Sequence, residues 1–273
     1  MNKFKGILIC TDLDGTLLTD NSTVSKENLD AIDYFKSEGG KFTFITGRMP
    51  FFATDFYRQV GANTPFGCIN GGGVYDCDGN RYIWKNPIDR SVLELVEYID
   101  KKVEGIGIQI NTFERIHFSR NNDAQERFRR ITGAENITTD YYDVEEEIAK
   151  ILFVDFDSKK LALVKELLDG HPRADEFSFI RSEETLYEIL PKGTDKGSVL
   201  PKIAEYAGVE LKNTVALGDY NNDLGMLKTA GAGIAVANAL PEVKAVADRI
   251  TVSNNEHAIA KTVEEIEKGI IAL

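Results

Sequence analysis

Cysteine, histidine and positive charge are all scarce in this 273-residue chain, and each shortage removes a class of function. The three cysteines, Cys10, Cys68 and Cys77, are an odd set without metal-ligand spacing. That excludes a disulfide framework or a thiolate zinc centre and predicts reduced thiols in a cytoplasmic protein. The three histidines, His117, His171 and His257, are scattered and form no ligand cluster. Lysine and arginine number 32 against 44 aspartates and glutamates, a formal net charge of −12. A nucleic-acid partner is therefore not expected, because binding a phosphate backbone needs a basic face. A small phosphorylated molecule stays compatible with this balance, since a metal and one or two local cations can govern a small site. Long apolar runs are missing too. Lys3 and Lys5 are followed by only a short apolar run before Asp12, too short for a signal peptide and far too short for a membrane span. Repeats and low-complexity segments are absent.

What the chain does have is an apolar run, Ile7 to Cys10, that stops abruptly at two carboxylates, Asp12 and Asp14. The run reads as a strand buried on both faces, with Gly15 turning the chain just past its carboxyl end. In open α/β sheets that edge is where ligands bind. Two aspartates so spaced repel unless something positive lies between them, and a hard cation such as Mg²⁺ suits carboxylate and carbonyl oxygens. A calcium loop beginning at Asp12 would need glycine at Leu17 and glutamate at Thr23, and has neither.

The following chain alternates helix and strand. Ser25 begins a helix with Leu29, Ile32 and Phe35 at helical spacing, ended by Gly39-Gly40, and 41–45 is a second strand leading to Thr46-Gly47-Arg48. A helix over 50–60, a strand over 65–69 and a glycine-rich reversal at Asn70 to Gly73 follow, with Asp78-Gly79-Asn80 as a hairpin turn. From about Lys85 the pattern changes to helices over 90–103, 124–131 and 159–168, with strands over 106–110, 116–118, 148–156, 177–181 and 186–190. We read 85–189 as an α+β domain inserted into a first domain made of 1–84 and 190–273. The last part runs as helix 199–206, strand 214–217, the turn Gly218 to Asp223, helix 224–229, strand 233–236 and helix 241–247. Ser253 and Glu256 form a capping box for a final helix. The expected class is α/β, a Rossmann-like three-layer core around a parallel sheet.

Four strand ends thus carry complementary polar chemistry: Asp12 and Asp14, Thr46, Lys196, and Asp219 with Asp223. Asp219 does not open a calcium loop either, lacking glycine at Leu224 and an acid at Ala230. In order, Asp12-Leu13-Asp14-Gly15-Thr16, Thr46-Gly47-Arg48, Lys196 and Gly218-Asp219-Tyr220-Asn221-Asn222-Asp223 resemble the four motifs of the haloacid dehalogenase-like phosphohydrolase superfamily, Cof-type, subclass IIB. The inserted segment lies where that branch places its α/β cap, and the resemblance covers the whole chain.

The resemblance implies an Mg²⁺-dependent phosphatase for a small phosphorylated metabolite, a sugar phosphate or a nucleotide-like cofactor. It makes Asp12 the nucleophile and Asp14 the acid and base. Leu13 or Gly47, through backbone N–H, with Thr46 and Lys196, would hold the phosphoryl oxygens. Asp12, the backbone carbonyl of Asp14, and Asp219 would be the metal ligands, with Asn222 and Asp223 orienting metal and lysine. Polar residues beside the insert's strands, Asn111, Arg115 and His117, are candidate contacts for the leaving group. A sugar phosphomutase of the same superfamily would share the chemistry of Asp12 and differ only in the acceptor. A receiver-like phospho-accepting regulator combines similar residue types, but is about half this length or less and carries its accepting aspartate after a later strand.

Overall fold

The computed structural model describes residues 2–273, which divide into two compact units. One runs to Lys85 and resumes at Asp195, ending at Leu273; the other is Asn86–Thr194. The second crossing falls after Thr194 rather than after 189, because strand Leu186–Pro191 and the turn behind it stay with the second unit. There the Thr194 amide bonds Pro191 O (3.0 Å) and the Thr194 hydroxyl accepts from Asn86 Nδ2 (3.0 Å).

The first unit opens with β1 (Leu8–Thr11), α1 (Lys26–Ser37), β2 (Lys41–Phe44), α2 (Pro50–Val60), β3 (Phe66–Cys68), β4 (Gly73–Asp76) and β5 (Arg81–Lys85). The second unit contributes α3 (Val92–Lys102), β6 (Gly107–Thr112), β7 (Ile116–Arg120), α4 (Asp123–Thr132), β8 (Ile148–Val154), α5 (Ser158–Asp169), β9 (Phe177–Glu183) and β10 (Leu186–Pro191). The first then resumes with α6 (Lys196–Ala207), β11 (Thr214–Gly218), α7 (Leu224–Thr229), β12 (Ala232–Ala235), α8 (Pro241–Val246), β13 (Arg249–Ile250) and α9 (Ala258–Glu267).

In the first unit the order β13-β12-β11-β1-β2 is parallel throughout, and the bridge Ile45↔Gly67 brings β3 alongside β2. Leu8, Ile9 and Cys10 are fully buried, as expected of a strand covered on both faces. Helix α1 packs against α2 and α9, while α6 packs against α7 and α7 against α8, giving helix layers around the sheet. Caps set several of the starts: Ser25 accepts from the Asn28 amide for α1, and Asp195 with Ser198 makes a reciprocal box for α6. Ser253 and Glu256 do form a box, but it closes a short 3₁₀ turn, Asn254–Glu256. His257, at φ 65°, then breaks the path before α9 begins. Strand β13 escaped the sequence reading because its two residues are too few to show a period.

The second unit is an antiparallel sheet ordered β7-β6-β8-β10-β9. One face packs on α3 and α5 through Ile108, Ile110, Ile151, Phe153 and Ile189; on the other, Ala124 of α4 meets Leu152, Val154 and Leu186. Among the described residues no disulfide joins Cys10, Cys68 or Cys77, and the first two are buried. Among the described residues no helix is long and apolar enough to cross a membrane.

Candidate active site

Strand β1 pairs with β11 on one side and β2 on the other, so the loops leaving all three open at one sheet edge. The Asp12 amide still bonds Leu217 O (2.9 Å), which holds the acid in line with the strand before the chain leaves it. A wide helical turn follows over Leu13–Leu17, closed by the Leu18 amide on Leu13 O (2.8 Å). Gly15 sits in it at φ 78°, and a Cβ there would lie 2.6 Å from Asp219 Oδ2, so only glycine lets this turn lie against the loop after β11. Thr16 then donates its hydroxyl to Asp219 Oδ1 (2.7 Å).

Lys196 reaches the same place from the first residue of α6 rather than from a strand end. The sequence predicts this helix only from 199 because Gly197 interrupts the helical pattern; the Asp195 cap offsets that and starts the helix at Lys196, with Pro201 inside it. Glycine at 197 also has a packing reason: a Cβ there would lie 2.4 Å from the Gly225 backbone, so the pair permits α6 and α7 to cross closely. The Lys196 ammonium is fully buried and donates to Asp12 Oδ1 and Asp223 Oδ1, both at 2.6 Å. The other Asp223 oxygen accepts the Asp219 amide (2.9 Å) and the Tyr220 amide (3.0 Å), so this aspartate orients both lysine and loop.

Burial works against the lysine's charge, but Asp12 and Asp223 outweigh it and raise its affinity for the proton. Burial likewise pushes the Asp12 carboxyl well above the usual range; Lys196 opposes this, while Asp223, Asp219 and Asp14 reinforce it. Asp219 is pushed up to about 7 by burial and then by Asp223. Carboxylate oxygens of Asp12, Asp219 and Asp223 lie within 4.8 Å of one another, three acids around one ammonium. Asn222 adds a buried side-chain oxygen with no hydrogen-bond partner. An all-oxygen, electron-rich donor set of this kind fits a hard divalent cation.

The metal role expected of Asp14 belongs to its backbone carbonyl, and its side chain forms a fork with Arg48, Nε to Oδ2 at 2.8 Å and Nη2 to Oδ1 at 2.6 Å. Thr46 lies past β2, nearly wholly buried, and its hydroxyl accepts the Arg48 amide (3.2 Å); it does not cap α2, whose N-cap is Met49. Gly47 lies against Asn70, whose side chain a Cβ would meet at 2.9 Å. Asn70 joins two motifs: its amide bonds Thr46 O (3.0 Å) and its Oδ1 accepts from Asn222 Nδ2 (3.1 Å). Sequence reasoning missed Arg48 and Asn70 as working residues. The available signal for Asn70 was an asparagine opening a glycine run, a residue suited to its φ of 51°.

The three candidates in the insert do not come together. Asn111 stands opposite Ile116 and Lys150, with an unpaired buried Oδ1. His117 stands opposite Ile110, hence on the other sheet face, where it meets Thr139 (3.1 Å) and Glu146 (3.4 Å). Arg115 also faces Glu146, at 3.4 Å. Arg115 and His117 thus share one carboxylate, and Asn111 stands apart from both.

The haloacid dehalogenase-like hydrolase family model matches residues 9–263. A Bacillus subtilis (strain 168) protein, 5-amino-6-(5-phospho-D-ribitylamino)uracil phosphatase YitU, is 29% identical over 265 residues, covering 96% of this chain and 97% of its own length. The crystal structure of a haloacid dehalogenase-like hydrolase from Bacteroides thetaiotaomicron superposes with a TM-score of 0.82 at 26% identity, covering 96% and 99% of the two chains. A subclass IIB sugar phosphatase shares the fold at a TM-score of 0.83 and 22% identity, over 97% of this chain and 100% of its own. The chain therefore belongs to the haloacid dehalogenase-like hydrolase family, among its Cof-type phosphatases.

Proposed function

We propose that this enzyme hydrolyses a small phosphorylated metabolite, a sugar phosphate or a nucleotide-like cofactor, with Mg²⁺ and through an aspartyl-phosphate on Asp12. The observation that carries it is the buried ammonium of Lys196, 2.6 Å from Asp12 and 2.6 Å from Asp223, at the sheet edge where Asp219 and the loop bearing Thr46 also arrive. Asp12, Asp219 and the backbone carbonyl of Asp14 are the residues that would hold Mg²⁺. When bound, the cation offsets the charge of the phosphoryl oxygens and of the acids around them.

A phosphoryl group needs positioning and charge stabilisation more than covalent assistance, because its transition state is loose and its charge sits on the equatorial oxygens. Lys196 and the Thr46 hydroxyl, with backbone amides of Leu13 or Gly47, serve that end. An Asp12 oxygen attacks phosphorus, the ester P–O bond breaks, and Asp14 gives its proton to the departing alkoxide. Water then attacks phosphorus, its proton passes to Asp14, and Asp12 leaves free as inorganic phosphate forms. Asn222 and Asp223 keep the loop and the lysine in place.

The phosphorylated ribityl compound in the name of the Bacillus relative and the sugar phosphatase among the structural neighbours support the substrate class. The test is phosphate release from a panel of sugar phosphates, nucleotides, pyridoxal phosphate and an aryl phosphate, with Mg²⁺ and then with chelator. Chelator-sensitive release is expected, and the ranking by kcat/KM names the substrate class. An isomerised sugar phosphate without free phosphate would instead identify a mutase.

A further inference from the structure

Arg48 is the second residue after Thr46, yet nothing in the chemistry above employs its side chain. We infer that Arg48 is a positioning residue for Asp14, setting the direction of the carboxylate that exchanges protons with the leaving group and with water. This rests on the phosphatase reading and adds a residue to it.

Both Asp14 oxygens are engaged by Arg48, at 2.6 and 2.8 Å, in the fork geometry that only a guanidinium provides. The fork is itself held. Arg48 Nη1 reaches Phe52 O (3.3 Å), its guanidinium carbon lies 5.1 Å from the centre of the Phe56 ring, and both partners belong to α2. Its backbone is fixed as well, the amide on the Thr46 hydroxyl (3.2 Å) and the carbonyl accepting from Ile69 (3.1 Å). Asp14, by contrast, has nothing rigid of its own. Its side chain is 47% exposed, on the kinked turn after β1, where φ/ψ leaves the helical region at Asp14 and Gly15.

An exposed ion pair ordinarily adds little stability. The value of this one lies in direction: α2 is a rigid base, Arg48 is the arm, and the Asp14 carboxylate is what the arm aims. Each carboxylate oxygen has two lone pairs, so one stays available for a proton while the guanidinium occupies the other. The same arm ties Asp14 to the Thr46 loop, placing proton transfer and phosphoryl binding on one support.

The experiment compares wild type, Arg48→Met, Arg48→Lys, Asp14→Asn and the Arg48→Met/Asp14→Asn double variant, all with Mg²⁺, on an alkyl phosphate and on nitrophenyl phosphate. The alkyl ester needs a proton for its leaving group, and the nitrophenyl ester needs one far less. Arg48→Met should lower the ratio of alkyl to aryl kcat/KM about tenfold, a part of the general-acid effect, because kcat/KM reports the step in which the ester bond breaks and not the hydrolysis common to both esters. Arg48→Lys should recover part of it, and the double variant should fall no lower than Asp14→Asn. Equal losses of kcat/KM on both esters, a rise in KM alone, or losses that multiply in the double variant would each overturn the assignment. If wild type releases phosphate from neither ester, the phosphatase reading falls and takes this assignment with it.

Discussion

At the scale of single residues the account turns on who holds which proton. Asp12 is a weak base kept against Lys196, so Asp12→Asn, which leaves an amide in place of the nucleophile, should abolish turnover in a phosphate-release assay. Asp14→Asn should cost on the order of 10² to 10⁴ in rate on an alkyl phosphate, the usual reach of general acid catalysis. Lys196 is a stability question as much as a catalytic one, because its ammonium is the partner of two buried carboxylates. Lys196→Met strands both, and urea unfolding should show a loss of about 3–5 kcal/mol. A variant as stable as wild type would mean that the acids are not held as described.

Among the elements, α6 is the one on which the site depends most. Its start at Lys196 is set by the Asp195 box and by the glycine contact with α7. Asp195→Ala should cost about 1 kcal/mol as a lost cap and should lower kcat further, since the residue after the cap is the lysine. Gly225→Ala has less room still: its new Cβ would lie 2.1 Å from the Asp195 carboxylate, so the cap itself must move.

The same element shows what could be read from the chain and what could not. Asp12, Asp14 and Asp219 were legible because a buried strand that ends in carboxylates breaks an apolar pattern locally. The start of α6 was not, since Gly197 opposes a helix until the cap and α7 are in place. The pairing of Arg48 with Asp14 and that of Asn70 with Asn222 join residues 34 and 152 positions apart, which no local pattern records. That Asn111 and His117 lie on different faces was not legible for a simpler reason. Neighbouring strand residues alternate faces, and only the register of β6 with β7 shows that these two face apart.

Across the whole molecule, the first unit gathers Asp12, Asp219 and Asp223 close together, more acid than the buried ammonium of Lys196 balances. Asp219, raised to about 7 from a usual value near 3.8, binds a proton in the folded state between those limits that the unfolded chain does not. Folding is therefore favoured at the acid end of that window and loses this contribution as pH rises through about 7. In chelator, Tm should fall as pH goes from about 5 to 8, and added Mg²⁺ should raise Tm more at pH 8 than at pH 5, since the cation competes with the proton. A Mg²⁺ effect equal at both pH values would contradict the linkage.

The central claim is that Asp12 itself carries the phosphoryl group, and chemical trapping addresses it directly. The enzyme is quenched in acid during turnover with its best substrate and Mg²⁺, reduced with borohydride, digested and examined by mass spectrometry. The account predicts conversion of Asp12 to homoserine, dependent on substrate and absent in Asp12→Asn. Steady phosphate release without modification at Asp12, or with modification at another carboxylate, would contradict it.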